Sequence, residues 1–242
     1  MRTQTSTATP EIHHERTFWR FGLTQRLEHA VIFLSITVLL ITGLPQKYRA
    51  SSWSQELLST PARVHSIQDI HHIAAIVLAL EVLFHLGNAI VLLVRRKLPG
   101  YILPTVQDLR DAVQMLRYLL FFRKDKPSFG KYNFEQKATY WFLFISIGIM
   151  VSTGFILLFP VALTRWLPGS VVPAAKMAHS TEAIVTAIFV VIWHFYHVHI
   201  ERLNFSIFTG RLNEQEMRTY HADEFERLTG EKATRAETGE NS

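Results

Sequence analysis

The chain carries 12 histidines and no cysteine, and the placement of those imidazoles indicates the chemistry they can do. His13, His14, His65 and His221 stand among polar residues and read as solvated. The other eight lie in or at the ends of long apolar runs: His29; His71, His72 and His85; and His179, His194, His197 and His199. An imidazole in hydrocarbon is costly unless it faces a bundle interior and has a partner. On a helix turning ~100° and rising ~1.5 Å per residue, His71 and His85 fall within about 40° of one face and about 21 Å apart, and His179 and His194 within about 60° and 22 Å. Two helices thus each carry an upper and a lower imidazole at roughly the separation of two membrane leaflets. Two stacked low-spin porphyrin irons, each gripped by imidazoles from facing helices, need that arrangement. A structural zinc would draw its ligands to one depth. The lack of cysteine excludes disulfides, thiolate-held iron–sulfur clusters and thioether-linked haem, leaving histidine or carboxylate to hold any metal.

Long apolar helices must position these rings. Val31–Leu44, Ile73–Val94, Tyr140–Phe159 and Ala183–Ile200 are nearly free of charge, and with their flanks each reaches the ~20 residues that cross a ~30 Å hydrocarbon layer. The expected fold is all-α, an integral-membrane four-helix bundle. Residues 1–17 form an N-terminal tail without the apolar core of a signal peptide, 18–200 the four-span domain, and 201–242 a polar C-terminal tail, expected to be disordered beyond about Gly230. Lysine and arginine number 4 before the first span, 3 after it, 10 between spans two and three, 2 between three and four, and 6 after the fourth. The excess at both termini and the middle loop puts those segments in the cytoplasm, N-in and C-in. That excess also accounts for the net charge of +5 without nucleic acid. Within the middle loop, Thr105–Phe122 places Val106, Leu109, Val113, Leu116 and Leu120 at helical spacing among polar residues, which predicts a cytoplasmic amphipathic helix at the interface or under the bundle. Pro99, Pro104 and Pro127 punctuate its ends, and Trp53 and Trp166 suit the outer aromatic belt.

Antiparallel order decides the pairing. Spans two and four start outside, so His71 and His179 lie at outer depth and pair around an outer haem. His29 and His194 lie at inner depth and pair around an inner one. His72 faces about 140° away from His85. His85 is left over, a possible ligand of a third haem with His197 or His199, which otherwise close the fourth span at the interface.

The residues now resemble a known family, the di-haem cytochrome b or gamma subunit of membrane-bound formate dehydrogenases, with the related cytochromes b of nickel–iron hydrogenases. The resemblance covers roughly Phe18 to Ile200. It rests on Gln25-Arg26-Leu27-Glu28-His29 followed by Thr42-Gly43, on Gly130-Lys131-Tyr132-Asn133-Phe134-Glu135-Gln136-Lys137 before the third span, on Thr153-Gly154, and on His179-Ser180 leading to His194-Phe195-Tyr196. It implies that His29, His71, His179 and His194 are axial ligands and that Asn133 and Gln136 line a quinone pocket beside the cytoplasmic-side haem. It further implies electron transfer between a periplasmic iron–sulfur or multihaem subunit, with its catalytic subunit, and menaquinone or ubiquinone in a bacterial inner membrane. Departures are Ala30, where tryptophan often follows the first ligand, Glu135, where glycine can occur, and a His179–His194 interval one residue longer than the pattern.

A physical reading agrees with a quinone site. Its carbonyl needs donors as charge gathers, and Asn133, Gln136 and Lys137 supply them; the plainer role for Asn133 and Gln136 is to cap the third span. Reduction takes up protons, so a carboxylate path through Glu135 and the deeply placed Glu81 is expected, unless Glu81 simply pairs with a histidine or arginine inside the bundle. Gly43, Gly87, Gly148 and Gly154 allow close approach by a haem edge or a helix. The rival functions are a His-lined metal or proton transporter, which the apolar third span disfavours, and a haem-free anchor for a peripheral enzyme, which would leave the histidines without purpose.

Overall fold

The computed structural model describes residues 16–97, 100–122, 131–200 and 204–232; His13, His14, Pro99, Pro127, Gly130 and the chain beyond 232 lie outside them. A short strand β1 (Thr17–Trp19) precedes the long helix α1 (Leu23–Lys47). The short α2 (Ser52–Leu57) leads to α3 (Pro61–Val94), and a 3-10 turn (Gly100–Ile102) to α4 (Val106–Leu119). Then come α5 (Phe134–Leu158), the single turn α6 (Pro160–Leu163), and α7 (Val171–Ile188), which continues as a π-helix over Phe189–Ile200. Four of these elements are long and apolar enough to cross a membrane, and the fold is an all-α membrane bundle. Their outward side chains, Leu80, Leu83, Val94 and Ile192 among them, are exposed because they face lipid.

Local chemistry sets the helix ends. Thr60 caps α3 by accepting from the Arg63 amide at 3.3 Å, and Pro61 follows in the first turn. The helix therefore starts well ahead of its apolar run, and 34 residues span about 50 Å, so its first turns with His65 extend past the hydrocarbon. Thr105 closes a capping box with Asp108 that starts α4 as its amphipathic pattern requires. Two hairpins make the bundle: α1 lies along α3, α5 lies along α7, and contact between the hairpins is sparse.

One end of the bundle is tied together outside the spans. β1 pairs antiparallel with β2 (Arg211–Asn213), Phe18 opposite Leu212, which joins the flanks of the first and fourth spans. Residues beyond the fourth span are not a plain tail. α8 (Ser206–Thr209), β2, α9 (Glu214–Tyr220) and α10 (Ala222–Thr229) fold into a small cap in which Phe18 meets a core of Leu212, Met217 and Phe225. The sequence hid this cap because only three apolar residues, widely spaced, carry it. Arg20 and Phe21 amides donate to Gly210 O at 2.8 and 3.3 Å, and the Arg26 guanidinium donates to Phe208 O. Gly210 has φ +78°, and a Cβ there would lie 2.9 Å from Phe21 O, so only glycine is accommodated. At the same end Lys137 Nζ meets Asp108 at 2.8 Å and Trp141 Nε1 donates to Ile102 O at 2.9 Å, holding α4 against the start of α5. The three basic segments therefore share one end.

Replacing Gly210 with alanine should cost about 1–3 kcal/mol through the forced left-handed backbone and the clash. Limited trypsin digestion should then release the 211–232 segment several-fold faster; unchanged digestion would contradict this packing.

The Asp108 tether is pH-dependent. Burial alone would raise the Asp108 carboxyl, yet bonds from Lys137 and Thr105 outweigh it and hold the carboxyl below its ordinary range. Its stabilisation is complete above about pH 4 and lost as pH falls through the depressed folded value. Asp108→Asn should free α4 from the start of α5 and speed trypsin cleavage after Arg110 and Arg117, whose side chains are exposed on that helix, several-fold at neutral pH; in acid the unaltered protein should lose hydrogen-exchange protection of the α4 amides. Equal cleavage of both at pH 7 would refute the tether.

Candidate functional site

Four imidazoles meet in two pairs. His71 on α3 faces His179 on α7 with ring centroids 6.4 Å apart, and His29 on α1 faces His194 in the π-helix at 6.2 Å. His72, by contrast, is exposed. The two pairs stand at different depths, because Thr42 touches His71 and lies 13 positions after His29 on the same helix, a rise of about 20 Å.

Each ring of the first pair is held in the same way by a Thr-Gly step on its hairpin partner. Thr42 Oγ1 donates to Val38 O at 2.7 Å, and Thr153 Oγ1 donates to Ile149 O at 2.7 Å. With its single proton so used, each hydroxyl accepts from an imidazole: His71 Nδ1 at 2.8 Å and His179 Nδ1 at 3.0 Å. Hydrogen bonding thereby assigns the proton to Nδ1 in both rings and leaves each Nε2 lone pair available to a metal. The adjacent glycines make room. A Cβ on Gly43 would lie 3.3 Å from His71 Cε1, and one on Gly154 3.3 Å from His179 Cε1.

These distances test whether a haem suits the residues. An imidazole nitrogen sits ~2 Å from a first-row metal and the ring centroid about 1.1 Å further back, so two facing imidazoles holding one iron between them would have centroids roughly 6.2 Å apart. Both observed separations agree with that value. The π-helix explains the long His179–His194 interval. At about 4.4 residues per turn, implied by its i→i+5 bonds, it turns less per residue, so fifteen steps from His179 to His194 cover nearly the angle that fourteen cover on an α-helix. Nothing in the apolar sequence of that segment announces a π-helix.

The expected quinone residues form a second polar group at the start of α5. Asn133, 2% exposed, accepts from the Gln136 amide at 2.7 Å, and Gln136 Oε1 accepts from the Asn133 amide at 3.3 Å. This capping box is the plainer role, and it uses the side-chain carbonyls rather than the amide NH2 groups. Lys137 is engaged with Asp108. Glu135 Oε2 accepts from Asn133 Nδ2 at 3.4 Å, whereas Glu81 lies in another cluster with Glu28 and His85.

Arg20, which the sequence reading counted only as a topological charge, is 7% exposed in this group. Its Nη2 donates to Gln136 Oε1 at 3.2 Å, its guanidinium lies 5.4 Å from the Tyr132 ring, and its Nε has no partner. Burial pushes the Arg20 guanidinium below its ordinary value, opposed by Tyr132 and Glu224. Proximity to the Gly-Lys-Tyr-Asn string was the missing signal, and it is long-range.

A family model described as prokaryotic cytochrome b561 matches residues 20–209, most of the chain. The chain belongs to that family. It is a membrane cytochrome b, and b-type haem and transmembrane electron transfer come with the family. No curated protein matches the sequence significantly.

Gly43→Val and Gly154→Val should each drive a side chain into the neighbouring ring. Purified variants are expected to lose bound haem, measured by pyridine haemochrome per protein; full retention in both would contradict the close approach.

Proposed function

We propose that this cytochrome carries two b haems, one between His71 and His179 and one between His29 and His194, and relays electrons between a redox partner at one face and quinone at the other. The single observation that carries this reading is the pair of imidazole–imidazole separations, 6.4 and 6.2 Å, at two depths. When bound, the haems supply one-electron transfer along the bundle axis. The protein's part is to orient the imidazoles through Thr42 and Thr153, to exclude water with apolar spans, and to place charged partners outside the hydrocarbon. The end bearing β1, β2, α4 and the cap is assigned to the cytoplasm from its lysine and arginine excess. The partner is then a periplasmic iron–sulfur or multihaem subunit with its catalytic subunit, as in formate dehydrogenase-like or hydrogenase-like complexes of the bacterial inner membrane.

We place menaquinone or ubiquinone beside the start of α5. The amide NH2 groups of Asn133 and Gln136 lie outside the capping bonds, and Arg20 is buried against Gln136 with its Nε unpartnered. A quinone carbonyl that gathers charge is stabilised by such donors in a dry site. Glu135 stands at the same lip to deliver protons from the cytoplasm. Lys137 is assigned a supporting role, since its ammonium holds Asp108. His85 is assigned to no haem, because it faces Glu28 and Tyr140 rather than a second imidazole.

Reduced-minus-oxidised spectra with haem analysis should give two haems per chain, and His179→Ala and His194→Ala should each remove one. A value of zero, or loss of neither, would overturn the assignment. Gln136→Leu and Arg20→Met should lower quinol-driven haem reduction by about ten-fold or more while leaving the dithionite-reduced spectrum intact. Unchanged quinol kinetics would remove the quinone from this end.

A further inference from the structure

Glu28 on α1, directly before His29, and Glu81 and His85 on α3 bring two carboxylates and an imidazole together inside the bundle. One ligating atom from each lies within 4.8 Å of the others. Glu28 Oε2 is 3.1 Å from His85 Nδ1, and His85 Nε2 is 3.0 Å from the Tyr140 hydroxyl on α5. Glu81 is the decisive member. It is 8% exposed, and neither of its carboxylate oxygens has a hydrogen-bond partner; Glu28 Oε1 has none either. Three buried carboxylate oxygens left unmatched in a membrane-embedded bundle are rare and costly.

We propose that Glu28, Glu81 and His85 form a site for a divalent transition-metal cation of the zinc class, distinct from the haems. Two carboxylates and one neutral imidazole balance a charge of +2, which removes the cost of placing two acids side by side in low dielectric. The mixed nitrogen and oxygen donor set suits zinc or a similar first-row ion; an all-oxygen cage would suit magnesium or calcium. His85 binds through Nδ1, and Tyr140 accepts from Nε2–H, fixing the ring as a metal-bound histidine requires. Bonds of ~2.0–2.2 Å to one ion set ligand atoms roughly 3.3–3.6 Å apart, so the wider gaps of this cluster, all within 4.8 Å, would close on the ion and leave a fourth position for water. By joining α1 to α3, the ion would lock the hairpin that carries His29 and His71.

The test uses the full-length, haem-loaded protein in detergent. After chelator treatment, equilibrium dialysis against Zn2+ and elemental analysis should show one zinc per chain, and Glu81→Gln and His85→Gln should each weaken it at least a hundred-fold. Replacing His13 and His14 with alanine should leave it unchanged. Equal zinc retention by wild type and both variants, or none in wild type, overturns the site. Should the variants lose their haem spectrum through misfolding, zinc-edge X-ray absorption of the wild type decides. One imidazole with carboxylate oxygens supports the proposal; an imidazole-only shell or a fully hydrated ion overturns it. The haem count tests the Proposed function separately, since two haems without zinc would refute only this inference.

Discussion

An imidazole in hydrocarbon must satisfy both ring nitrogens, and the rest of the structure follows from how this bundle does so. For His71 and His179 a threonine hydroxyl takes the Nδ1 proton, which leaves each Nε2 outside that bond while the two rings face one another across 6.4 Å. That single bond requires the threonine to sit one helix away, at the right depth, with its own proton already committed to the turn behind it. The following glycine removes the Cβ that would otherwise push the ring aside. The Thr-Gly step recurs on α1 and α5, so the two hairpins present equivalent sockets to the first pair of imidazoles.

The same constraint accounts for the uneven packing. Each hairpin is closely packed and its helices share the Thr–His contact, while the hairpins touch sparingly, at the two imidazole pairs and at His85–Tyr140 among other points. Outside the spans the ties are polar: Lys137 to Asp108, Arg20 to Gln136, and the β1–β2 ladder. The membrane part is thus specified by a few directional bonds and surrounding lipid, and the extramembrane end by ion pairs and a small aromatic core.

Much of this was legible in the sequence. Long apolar runs marked the four spans, and His71 faces His179 and His29 faces His194 as the antiparallel order suggested, whereas His85 meets Glu28 and Tyr140. The amphipathic helix appeared where Val106, Leu109 and Val113 predicted it, with Thr105 as its cap. What remained hidden depended on distance in the chain. Arg20 joins Gln136 across 116 positions, and His85 meets Glu28 across 57, so neither can be seen from local pattern. The π-helix was invisible for a different reason: its β-branched, aromatic and histidine residues favour no particular turn. The cap was missed because Leu212, Met217 and Phe225 become a core only once Phe18 arrives from the other end of the chain.

The central claim is that facing imidazoles ligate iron at two levels of one bundle. Low-temperature electron paramagnetic resonance of the oxidised, purified protein, with near-infrared magnetic circular dichroism to identify the axial ligands, tests it most directly. The account predicts two low-spin ferric centres, each with bis-imidazole ligation. High-spin iron, a histidine–methionine signature, or a single centre would contradict it.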